Sequence, residues 1–116
     1  MIDNYEALFN SKYMRWFNLN EKPALVEIVS VAPNVEMVMP GGKKEKRPVL
    51  HFKQINGKIE DVKPMVLNRT NGNKIAEIHG VKPSQWKGKE IVLFQDVTKF
   101  GSKDVNCIRI RARKVK

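Results

Sequence analysis

Two lysine-bearing stretches and one arginine-bearing strand pattern carry the chemistry open to this chain. Lys43, Lys44, Lys46 and Arg47 crowd residues 40–48, bounded by prolines and containing two glycines. Lys99 and Lys103 flank Phe100 and Gly101 in residues 99–104. Further on, Arg109, Arg111 and Arg113 alternate with Ile108, Ile110 and Ala112, so a strand there has one apolar face and one cationic face. Cations draw phosphate backbones by charge neutralisation and counterion release, and the flat faces of single-stranded bases stack on exposed rings. Lys53 and the rings of Phe94 and Phe100 complete the candidate set, Phe94 because it alternates away from Ile91 and Leu93. A plainer reading has both rings covering the sheet and the lysines serving as solvated surface.

Patterns for catalysis are missing. There is no glycine-rich loop ending in Gly-Lys-Ser/Thr and no nucleophile elbow. His51 and His79 fall on separate elements without the spacing of helical metal ligands. Cys107, the only cysteine, excludes an internal disulfide and reads as a small strand filler on the arginine side. Glu60, Asp61 and Asp104 are turn residues with no second carboxylate placed for acid–base work. The expectation is a protein that is not an enzyme and has no catalytic residue, metal or cofactor.

The elements that must position these side chains are short and β-rich. Residues 24–31 form a first strand, and residues 35–39 continue it after a bend at Pro33. Leu50 and Phe52 alternate with His51 and Lys53 in a second strand, and Asn56-Gly57 signals a tight hairpin into a third at Met65, Val66 and Leu67. Thr70 or Asn71 can cap a helix that carries Ile75, Ala76 and Ile78 and ends at Gly80. A fourth strand holds Ile91, Val92, Leu93 and Phe94, and a fifth spans residues 105–115. This order predicts an all-β fold with one short helix: a five-stranded OB-like barrel, helix between strands three and four, whose binding face lies between the loops 40–48 and 99–104.

Length and charge agree with one small binding domain. The 116 residues suit a single core. The net charge of +10 is unevenly spread: residues 1–40 hold 3 basic and 5 acidic side chains, residues 41–116 hold 19 and 7. The positive field therefore belongs to residues 41–116, within residues 23–116, which read as the nucleic-acid-binding domain. Residues 1–22 read as an aromatic arm or helix, with Tyr5, Phe9, Tyr13 and Trp16 at helical spacing, packed on the barrel or offered to a homodimer or host-protein partner. No apolar run reaches the length of a membrane span and MIDNYEALFN lacks the pattern of a secretory signal, so a cytoplasmic protein without membrane contact is expected.

Several short motifs together also resemble a family of short phage and prophage proteins. They are Leu8-Phe9, Ser11-Lys12-Tyr13, Pro48-Val49-Leu50, Leu67-Asn68-Arg69-Thr70-Asn71, Trp86-Lys87-Gly88-Lys89 and Ile108-Arg109-Ile110-Arg111. Many relatives carry acidic residues before the tryptophan, where this chain has Val81-Lys82-Pro83-Ser84-Gln85. The resemblance implies a phage-encoded protein in the host cytoplasm, similar to single OB-fold proteins that bind single-stranded DNA. The expected partner is single-stranded DNA, bound without sequence preference in phage replication or recombination. The alternatives are a modulator of a host protein and an RNA binder.

Overall fold

The structure, a computed structural model, describes residues 12–38, 41–60 and 62–113. One antiparallel sheet holds five strands: β1 (Ala24–Val38), β2 (Lys44–Asn56), β3 (Met65–Val66), β4 (Glu90–Phe100) and β5 (Lys103–Arg111). A helix, α1 (Arg69–His79), follows β3 in the chain, and among the described residues 3-10 turns lie at Trp16–Leu19 and Pro83–Gln85. No helix among the described residues is long and apolar enough to cross a membrane.

β1 runs past Pro33 as one long strand, as its pattern predicts. Its register against β2 shifts at three places, and Pro33 falls within the shift between Ala32 and Val35. A proline lacks the N–H that a ladder needs, and a bulge is where a strand tolerates it. The two basic stretches are correspondingly less loop-like than their composition suggests. β2 begins at Lys44, opposite Val38, and Lys46 and Arg47 already pair with Glu36 and Val35. At the other turn Phe100 faces Lys103, so the loop 99–104 shrinks to Gly101 and Ser102. The three glycines at the tips, Gly41, Gly42 and Gly101, take positive φ, which a tight turn requires and glycine permits.

Asn56-Gly57 does not make the tight hairpin expected of it. β2 ends at Asn56, and residues 57–64 intervene before β3. The Gln54 side chain closes this segment from both sides: Nε2 donates to the Ile59 carbonyl and Oε1 accepts from the Ile59 amide, each at 3.0 Å. Ile59 is thereby held in the core. Gly57 serves close approach instead, since a Cβ there would lie 2.8 Å from that of Ala24.

The helix starts two residues earlier than a Thr70 cap would set it and three earlier than an Asn71 cap. Asn68 is the cap, its Oδ1 accepting from the Asn71 amide at 2.8 Å. Asn71, Ile75 and Ile78 then share one face, with Ile75 fully buried. Gly80 ends the helix, its amide donating to the Ala76 carbonyl at 2.9 Å. Trp86 is buried beyond it and donates from Nε1 to the Gly80 carbonyl at 2.9 Å.

The expected barrel is not closed. Strand order is β3-β2-β1-β4-β5, and β3 and β5 stay unjoined at the two edges. β3 is too short to build a second ladder: it has two residues, Pro64 before it lacks a donor, and Asn68 turns the chain into α1. In space the helix lies beside β5, where the buried Asn71 Nδ2 donates to the Ile108 carbonyl at 3.0 Å. A helix side chain thus satisfies part of the edge that a neighbouring strand would otherwise cover.

The core gathers Val26, Ile28, Leu50, Ile75, Ile91, Leu93 and Ile110 in one cluster. Met14 and Leu19 join it from the N-terminal side. That segment is tied down by the Met14 amide donating to the Pro64 carbonyl at 2.7 Å and by Gln95 Nε2 donating to the Trp16 carbonyl at 3.0 Å. Of the aromatic stripe, Tyr5 and Phe9 lie outside the described residues, and the helix or arm is represented by the 3-10 turn Trp16–Leu19.

Candidate nucleic-acid interface

Cross-strand partners in an antiparallel pair share a face, so the register of β4 and β5 sorts their side chains. Val92 faces Arg111, Phe94 faces Arg109, Asp96 faces Cys107, Thr98 faces Val105 and Phe100 faces Lys103. On the opposite side Leu93 faces Ile110, and both are buried. The outward face of this hairpin therefore carries Phe94, Phe100, Lys103, Arg109 and Arg111 in one stripe. At a strand rise of ~3.3 Å per residue the two rings stand about 20 Å apart. Phe100 is 81% exposed at the tip. Phe94 is half-buried, in a groove of about 360 Å³ lined also by Arg109 and Asp96 of the hairpin and by Thr70, Asn73, Lys74 and Glu77 of the helix.

Lys99 does not join the stripe. It faces Asp104 across the hairpin on the other side and lies 4.0 Å from that carboxylate. Three more expected cations are likewise engaged: Arg47 with Glu45 at 2.6 Å, Lys53 with Glu27 at 3.8 Å and Arg113 with Glu90 at 2.7 Å. Lys43, Lys44, Lys46, Lys103, Arg109 and Arg111 form no ion pair among the described residues. Exposed pairs are worth about 0–1 kcal/mol, so pairing lowers the readiness of the engaged four without removing them. Lys43, Lys44 and Lys46 are exposed at the β1–β2 tip, a second cationic group.

Arg109 also acts on its neighbour. Burial pushes the Cys107 thiol above its ordinary value of 9.0, the Arg109 charge opposes that shift, and Asp96 adds to it. The thiol is neutral at pH 7. His79 makes a 2.8 Å hydrogen bond with the Glu90 carbonyl, and His51 is exposed.

A second concavity was not foreseen from the sequence. Between β3 and residues 104–108 of β5, where the sheet fails to close, lies a cleft of about 530 Å³ bordered by residues 14–17. Trp16 and Asn71 are among its lining residues, and Trp16 Nε1 and Asn71 Oδ1 are buried without a hydrogen-bond partner. A buried polar atom left unpaired costs about 1–3 kcal/mol. The nearest signal in the sequence is the Asn68-x-x-Asn71 spacing, which places the second asparagine in the first turn of a capped helix.

Comparison of the chain with known protein families, with curated proteins and with solved structures finds no match.

Proposed function

We propose that this chain binds single-stranded DNA without sequence preference and without catalysing a reaction. We read its sheet as an OB-like barrel opened at one seam, with the two hairpin tips flanking the binding face. The observation that carries the reading is the outward face of β4 and β5, where an exposed Phe100 and a half-buried Phe94 are interleaved with Lys103, Arg109 and Arg111. Rings offer stacking that tolerates any base, and the cations follow the backbone. The motif resemblance adds phage DNA replication or recombination, in the host cytoplasm, as the setting.

The test is a fluorescence titration of the full chain against single-stranded DNA, duplex DNA and RNA at several salt concentrations. If about four of the six unpaired cations neutralise phosphates, log K against log salt has a slope near −2.8, from roughly −0.7 per phosphate on a single strand. Replacing Lys44 and Lys46 by alanine makes the slope shallower by about 1.4. Weak binding to all three ligands with a flat slope overturns the reading, and a clear preference for RNA replaces DNA as the ligand. Loss of a captured host protein on deleting residues 1–17, with the sheet still folded, would favour the interaction-module alternative.

A further inference from the structure

We infer that the groove between α1 and the outward face of β4 and β5 is a subsite for one base of the bound strand, favouring a base with an exocyclic amino group over thymine. The inference rests on the single-strand reading and gives it one biased position, while stacking elsewhere stays tolerant. Two periodicities aim the side chains. Register puts Phe94, Asp96 and Arg109 on the outward face of the hairpin, with Phe94 directly opposite Arg109. On the helix Thr70, Asn73, Lys74 and Glu77 follow the i, i+3, i+4, i+7 spacing of one stripe, distinct from the stripe of the buried Asn71 and Ile75. The two stripes border one groove of about 360 Å³. Asp96, Glu77, Thr70 and Asn73 are exposed, so a ligand lying there has access to them.

The charges select a base rather than a phosphate. Lys74 and Arg109 are matched in the groove by Glu77 and Asp96, and Lys74 already lies 3.7 Å from Glu77. A phosphate entering between those carboxylates meets a repulsion that Lys103 and Arg111, farther along the stripe, do not impose. A base is neutral. Its face can lie on the half-buried Phe94 ring, and its edge then meets carboxylates, which only accept hydrogen bonds. Asp96 Oδ1 takes the Val97 amide at 2.8 Å, while its other oxygen has no hydrogen bond among the described residues. Cytosine carries at C4 an amino group that donates to such an oxygen, whereas thymine has a carbonyl oxygen in that place.

The experiment titrates the full chain with oligomers of thymidine and of 5-methyldeoxycytidine of equal length. The two bases share size and methyl group and differ at C4 and in the proton on N3. The expected result is a 5-methyldeoxycytidine oligomer bound about five- to tenfold tighter than the thymidine one. Asp96→Asn combined with Glu77→Gln should bring the two affinities within about twofold of each other, because an amide can turn either its oxygen or its N–H groups to the base. Glu36→Gln, on exposed β1 outside the groove, controls for net charge and should leave the ratio unchanged. Equal affinities with a steep salt dependence overturn this inference while the proposed function stands. A preference that survives the double substitution, or that Glu36→Gln also removes, overturns the assignment to the groove, as does tighter binding of the thymidine oligomer. Failure of both oligomers to bind at any salt concentration overturns the proposed function, and the subsite falls with it.

Discussion

At its base the β4–β5 hairpin sets Leu93 against Ile110, both buried; at its tip the same hairpin sets Phe100 against Lys103 in solvent. β1 makes the same change along its length, from a buried Ala24, Val26 and Ile28 to an exposed Val38. The strands therefore serve two ends. The base supplies the apolar burial that holds the fold, and the tips carry side chains that the fold does not need. A position's consequence should then depend on which end it occupies rather than on how apolar it is.

The largest expected effect lies at the base. Ile110→Ala should lose about 2–5 kcal/mol of stability in a denaturant titration, because it opens a cavity among residues that cannot collapse into it. Phe100→Ala, the removal of a larger apolar group, should stay within about 0.5 kcal/mol of the unaltered chain. Equal losses would break the comparison. The ordering reverses for the ligand: Phe100→Ala should cost on the order of 1–3 kcal/mol of single-strand affinity at every salt concentration, since stacking releases few counterions. A change of salt slope with that variant would show that Phe100 orders the lysines instead of holding a base.

Smaller effects sharpen the boundary between the two ends. Asn68→Ala removes the helix cap and should cost about 1 kcal/mol of stability, with Asn68→Ser retaining most of it. Cys107 lies between base and tip, and its titration reports which it resembles. Its folded pKa is raised chiefly by burial, so the folded chain holds the thiol proton more tightly than the unfolded one. The resulting stability is present below 9.0, the ordinary thiol value, and is lost as pH rises through the raised one. Iodoacetamide labelling should accordingly need a higher pH than for a free cysteine. Arg109→Gln removes the opposing charge and should move that requirement higher still; an unchanged profile would place Cys107 with the exposed tip.

What could be read in the sequence was whatever a period of two encodes. Ile108 and Ile110 against Arg109 and Arg111 sort correctly because alternation is a property of a single strand. Helix α1 was legible from Ile75, Ile78 and Gly80, although its cap was misplaced because Asn68, Thr70 and Asn71 could each serve. Pairing between distant segments was not legible. Nothing local in Met65 or Val66 says that β3 stops after two residues and leaves β5 uncovered, and the Asn71–Ile108 bond that occupies part of that edge joins positions far apart in the chain. The same limit applies to the site: Lys99 and Lys103 look equivalent on either side of Phe100, yet register sends them to opposite faces.

The sheet order has a kinetic consequence. β2 and β3 pair only with the N-terminal half, β5 pairs only with β4, and the two groups meet through four pairs, from Ala24 with Leu93 to Glu27 with Glu90. Each hairpin can zip from its own turn at the small entropic cost of a short loop, whereas the four-pair ladder must bring together residues separated by both a helix and a 3-10 turn. The search for that one junction, in which Ile91 and Leu93 of one half must find Val26 and Ala24 of the other, is therefore the step expected to limit the rate of folding.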